Sequence, residues 1–260
     1  MIKDTIKKYC DVCVAVIALV ALVIYEGFLS GKIGTPPVTA LADGIVTRAL
    51  GSAVAVVAVK KAGYKVVNKC SGKAIIAVLP CFLAVVCNPP LIGLITGDAA
   101  FSYSGATLCL YIVLFITECL LVGTFEELLF RGILFPAVEE RLKENKRGRF
   151  FAVIISAAIF ALVHLFNLFT SSPLAVLMQV GYSFLLGGAC CFTFLKTGNI
   201  LYCVLLHATF NFCGGLTDTL GYGGWGGVPS YVFSAVVCVL VAVYVLVSLL
   251  DNNDKNKSCE

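Results

Sequence analysis

Apolar stretches long enough to cross a bilayer recur from one end of this 260-residue chain to the other, and they leave few folds open to it. A transmembrane helix needs about 20 consecutive, mostly apolar residues. Eight such stretches are legible: 10–30, 40–59, 74–96, 105–137, 150–169, 174–195, 199–216 and 229–250. Asp43 and Arg48 interrupt the second, the seventh is short, and Asn88-Pro89-Pro90 falls inside or ends the third. Hydrophobic residues make up 60% of the chain and charged residues 13%, whereas soluble domains run near roughly half and a quarter. A core cannot absorb that excess, so lipid is the solvent for much of the surface. The expected fold is all-α, a polytopic membrane helical bundle of about eight transmembrane helices.

Basic residues fix an orientation, because cytoplasmic loops carry the excess of Lys and Arg. Alternate loops hold sixteen of them, including Lys60, Lys61, Lys65, Lys69 and Lys73, then Arg141, Lys143, Lys146, Arg147 and Arg149, while the opposite loops hold only Lys32. Both termini are therefore expected in the cytoplasm of a multi-pass cell-membrane protein. The net charge of +4 is a topological signal, and no nucleic-acid partner is called for. Lys3, Lys7 and Lys8 precede an apolar run to about Leu29 with no small-residue cleavage site, which reads as a retained first span. Most of the thirteen cysteines lie in apolar runs, where Cys packs as a small hydrophobe. Cys10 and Cys13 have C-x-x-C spacing without a second pair to complete a metal or redox site. Cys259 is the penultimate residue, so the chain is not itself a C-a-a-X protein.

Ionisable groups inside a bilayer are costly, and each is a functional hypothesis. The fourth span ends Glu126-Glu127-Leu-Leu-Phe-Arg131. Glu127 and Arg131 are four apart on one face, acid before base, and can neutralise each other. Glu126 lies about 100° around the helix, without that partner. As a group at a membrane boundary the triplet would be unremarkable. However, the chain has two histidines, and both fall inside spans: His164, four residues after Phe160, and His207, four before Asn211. At 1.5 Å per residue, Glu126, His164 and His207 sit roughly 13–23 Å from the cytoplasmic helix ends, a depth at which they can converge. Glu118 is a candidate to line a substrate cavity, and Arg48 needs a counter-ion, for which Asp43 and Glu118 are the candidates. The Gly221–Gly227 segment with Trp225 reads as an interfacial loop.

These residues, in this order, resemble the CPBP family of intramembrane proteases, also called the CAAX protease or Abi family, which includes Rce1. Its pattern is Glu-Glu-x-x-x-Arg, Phe-x-x-x-His, then His-x-x-x-Asn or Asp. All three motifs are complete here, as Glu126-Glu127-Leu-Leu-Phe-Arg131, Phe160-Ala-Leu-Val-His164 and His207-Ala-Thr-Phe-Asn211. The resemblance implies N-terminal transmembrane helices over 1–104, catalytic core helices over 105–216, and an outer loop, last helix and cytoplasmic tail over 217–260. It implies an endopeptidase cutting a membrane-associated peptide or lipidated protein. Glu126 and His164 would activate water, His207 and Asn211 would hold the oxyanion, and Glu127 with Arg131 would hold the fourth helix in place.

The family has also been described as metalloproteases, and Glu126, His164 and His207 match the ligand set of some zinc sites. The favoured expectation is a metal-independent glutamate mechanism, because Asn is a poor zinc ligand and no His-Glu-x-x-His helix occurs. A competing function is a non-catalytic membrane scaffold or bacteriocin-immunity protein of the Abi type. A proton-coupled transporter is disfavoured by the lack of internal repeats.

Overall fold

The computed structural model describes residues 38–223 and 227–255. The first expected span, Cys10 and Cys13, Trp225 and Cys259 lie outside the described residues. What is described is a helical bundle with almost no sheet.

Helix α1 covers Val38–Ala62 and ends on Lys60 and Lys61. Helix α2, Gly72–Val86, begins at Ser71, whose hydroxyl accepts from the Ala74 N–H. The third expected span is two helices rather than one. Its second half, α3 (Pro89–Thr96), is bent 63° from the first. Pro89 and Pro90 explain the break: neither has an N–H to continue the ladder, and both suit the first turn of a new helix. The carbonyl of Cys87 left over at the break accepts from the Ser234 hydroxyl.

A short strand, β1 (Ala99–Phe101), leads into helix α4 (Gly105–Leu129). A π turn over Phe130–Leu134 joins α4 to α5 (Phe135–Leu142), so one apolar run of 38 residues crosses and leaves the bundle. Pro136 accounts for the turn, because it cannot donate to the Gly132 carbonyl and the ladder must slip past it. Helix α6 (Gly148–Val163) tightens into a 3-10 segment at His164–Phe169. Helix α7 (Pro173–Thr197) starts on a Ser172 cap with proline at its first turn and stops at Gly198, whose φ of 60° is left-handed. Helix α8 (Ile200–Leu220) is capped by the Asn199 side chain. Strand β2 (Gly221–Gly223) then pairs antiparallel with β1, Ala100 opposite Tyr222. The glycine-rich segment read as a loop thus contributes a strand. Helix α9 covers Gly227–Lys255.

Among the described residues, six helices are long and apolar enough to cross a membrane, and the bent α2–α3 pair, taken as one span, makes a seventh. These correspond to the seven expected spans that fall within the described residues. Between 17% and 50% of each span's most apolar window is buried, so large apolar side chains such as Leu50, Leu177 and Val239 point outward. That is the surface of a chain solvated by hydrocarbon, and the all-α polytopic bundle is established. Phe135, Phe192 and Leu206 are fully buried in an interior cluster drawn from α2 and from α5 to α9. Cys81, Cys119, Cys190, Cys191, Cys203 and Cys213 are buried, unpaired packing residues, while Cys109 is exposed.

The lysine-rich α1–α2 connection is locked to the α7–α8 turn. Ile200 N–H donates to the Val66 carbonyl at 2.7 Å. Asn68 and Asn199 exchange side-chain amide bonds with the backbone of Gly198 and Asn68, at 2.8 and 2.9 Å.

Candidate active site

Glycine sets the spacing of the two central helices. A Cβ on Gly123 would lie 3.0 Å from the Val204 carbonyl oxygen and 3.6 Å from the His207 Cβ. Only a bare backbone lets α4 approach α8 this closely, one turn before the glutamate pair. Gly123→Leu is therefore expected to force the helices apart and cost about 1–3 kcal/mol of stability. Thermal unfolding in detergent micelles reads this, and an unchanged midpoint would contradict the close approach.

At that contact Glu127 is fully buried and has two cationic or cation-capable partners. Its Oε1 accepts from Arg131 at 2.9 Å and from Nδ1 of His207 at 2.8 Å. The expected Glu127–Arg131 pair is present, and its carboxylate also reaches a residue eighty positions away. Arg131 is equally buried, and its other terminal nitrogen donates to the Gly187 carbonyl of α7 at 2.9 Å. Its guanidinium carbon lies 4.7 Å from the centre of the Phe160 ring, a cation–π contact. A buried ion pair persists only when its remaining groups are matched; the histidine, the carbonyl and the ring supply much of that matching.

Phe160 is the hub of the site. Its ring stands edge-on to His164, with centroids 5.2 Å apart, and to His207 at 5.7 Å. The spacing that placed Phe160 and His164 on one face of α6 therefore also brings the ring against both imidazoles. His164 turns Nδ1 to the Phe160 carbonyl at 2.9 Å. A carbonyl only accepts, so Nδ1 carries the proton and the Nε2 lone pair is free in the neutral ring. His207 is mirrored in this: Nδ1 faces the Glu127 carboxylate, and Nε2 lies 3.8 Å from Oε2 of Glu126.

Glu126 is the more open of the two carboxylates, 18% exposed against 0% for Glu127. Set away from Arg131 by the angular spacing within α4, Glu126 is approached instead by His207 of α8, which that spacing alone could not reveal. Asn211 follows His207 by one turn along α8 and is partly buried. Glu118 faces α1 instead of standing free: a Cβ on Gly44 would fall within 2.3 Å of its Oε1. Arg48, on the same helix, stacks over Phe125 with 5.3 Å to the ring centre. Gly187 was not legible as a site residue, since its contribution is a backbone carbonyl; the only trace is the small-residue run Gly187-Gly188-Ala189.

Among the described residues, no group of three or more His, Cys, Asp or Glu side chains is arranged to hold a metal ion. Glu126, His164 and His207 do not form such a group here.

Residues 108–213 match a family model described as type II CAAX prenyl endopeptidase Rce1-like. These helices form an Rce1-like core. The matched stretch contains all three motifs, from Glu126 to Asn211, and so carries the resemblance to the CPBP family. No curated protein and no solved structure matches the chain. Over residues 108–213 the chain is thus similar to the CAAX-type prenyl endopeptidases, and the bundle makes it a multi-pass membrane protein.

Proposed function

We propose that the chain is an intramembrane endopeptidase that hydrolyses a peptide bond in a membrane-associated peptide or lipidated protein, using water activated by Glu126. The observation that carries this reading is the division of labour between the adjacent carboxylates. Glu127 is committed to Arg131 and His207, while Glu126 is left open beside Nε2 of His207.

In this mechanism Glu126 takes a proton from a water that the free Nε2 of His164 helps to orient. The resulting hydroxide attacks the peptide carbonyl. The developing oxyanion is received by Nε2–H of His207 and by the Asn211 amide, and Glu126 then delivers its proton to the leaving amine. For His207 to donate from Nε2 while Nδ1–H faces Glu127, it acts as the imidazolium. Two carboxylates and two cations then balance, with Arg131 the second cation. Donors fixed in a water-poor site contribute about 3–4 kcal/mol each to such a transition state. No step requires a metal. The lysine and arginine distribution supports termini on the cytoplasmic side.

Peptide profiling of membranes from cells carrying the wild-type chain or Glu126→Ala tests the activity. Peptides that appear only with the wild type, at equal expression and membrane insertion, are the expected result; identical profiles would refute it. Dialysis against a chelator is expected to leave cleavage within about twofold. Loss of activity that zinc restores would replace the glutamate–water reading with a metal one.

A further inference from the structure

An apolar cavity of about 260 Å³ lies between α2, α6, α7 and α9. Leu186, Gly188 and Ala189 border it, while Gly187 between them gives its carbonyl to Arg131. Ala157, another lining residue, sits where a Cβ on Gly187 would meet it at 3.1–3.2 Å. The cavity therefore backs the segment of α7 that anchors the buried pair.

Its walls run from the membrane-facing surface to the interior. Ile154, Leu185 and Leu246 border it and are exposed, whereas Val85, Val153 and Ala157 border it and are buried. The lining side chains offer only the Tyr182 hydroxyl and the thiols of Cys81 and Cys238 to a polar guest. The space would take roughly eight or nine waters at about 30 Å³ each, and each water needs two to four polar partners. Such a lining cannot hold them. No lining side chain is cationic, so a lipid headgroup has nothing to bind. The mouth opens between spans whose solvent is hydrocarbon, and α9, which forms one wall, is the least buried of the six long spans, with 17% of its window covered.

We infer that this cavity is a binding site for one acyl chain of a bilayer phospholipid, held as a resident wedge behind α7. The chain enters from the membrane between α7 and α9, and its headgroup stays at the surface. The Tyr182–Phe210 ring pair, with centroids 5.5 Å apart, contributes to the wall on the α8 side. The inference does not depend on whether the glutamate cluster cuts peptide bonds.

The test uses the full chain in vesicles of phosphatidylcholine bearing a diazirine midway along one acyl chain, with irradiation, digestion and mass spectrometry. Adducts on Val85, Val153 and Ala157 are expected, because lipid that only surrounds the protein cannot touch these buried residues. Ala242→Trp, and separately Val241→Phe, fill the cavity from α9. Each is expected to reduce those adducts at least fivefold while adducts on the outward Leu177 and Val239 persist. Wild-type adducts confined to outward residues would overturn the inference, whether or not the variants fold. So would displacement of the buried adducts by a farnesylated peptide, which would reassign the cavity to substrate.

Discussion

Glu126→Gln is expected to lower kcat for peptide hydrolysis by roughly 10²–10⁴-fold, the usual worth of a positioned general acid–base, with little change in KM or unfolding temperature. Gln keeps the shape and can still meet Nε2 of His207, but it cannot take a proton from water. The stability side follows from geometry. Glu126 is partly open, and Nε2 of His207 approaches it to 3.8 Å, beyond a hydrogen bond. Its loss therefore removes little that holds the helices together. The comparison that decides the assignment is Glu127→Gln. That change removes the negative charge shared by Arg131 and His207 and is expected to lower both activity and unfolding temperature. Single-turnover cleavage of a reporter peptide, paired with thermal unfolding of the same preparations, reads both quantities. Full activity in Glu126→Gln would move the base to another residue and leave Glu126 a lining group.

Arg131→Met is expected to destabilise the fold by about 3–5 kcal/mol, the cost of leaving a buried charge without its partner. The side chain is fully buried and is held at three points, the Glu127 carboxylate and the Gly187 carbonyl, each at 2.9 Å, and the Phe160 ring. Methionine keeps the apolar stem and lacks only the guanidinium end, so the loss reports chiefly on charge and hydrogen bonding. The double variant Glu127→Gln/Arg131→Met removes both charges. It is expected to recover a substantial part of the lost stability without recovering cleavage, because Gln no longer supports an imidazolium at His207. Unfolding midpoints in one detergent, with far-ultraviolet circular dichroism as the readout, supply the cycle. A single variant within 0.5 kcal/mol of the wild type would show that the pair is solvated by groups other than those described.

Periodicity and composition were enough for the bundle, because the requirement to satisfy backbone groups in hydrocarbon leaves only helices for long apolar runs. The Glu127–Arg131 pair followed from i, i+4 geometry within one helix. What escaped had non-local causes. The His207–Glu127 bond joins two helices whose separation is set by Gly123, and nothing in local spacing states which face of α4 meets α8. The π turn and the break at Asn88 both come from prolines visible in the sequence, Pro136 and Pro89. Even so, a hydropathy window averages across them and returns one uninterrupted span. The β1–β2 ribbon is three residues long in each strand and glycine-rich, without the alternation that marks a strand. Its pairing is imposed by the helices that bring its ends together.

That ribbon fastens the approach to α4 directly to the exit of α8, reinforced by Ser102 N–H on the Leu220 carbonyl at 3.0 Å. At the other end of α8, Ile200 is bolted to Val66 in the α1–α2 connection. The glutamate helix and the His207 helix thus behave as a stator, clasped at one margin and braced at the other. The α6–α7 hairpin joins this frame along a broad apolar seam, where Ala152, Val153, Leu186 and Cys191 pack with Phe135, Cys203 and Leu206, as well as through Phe160 and the Gly187 carbonyl.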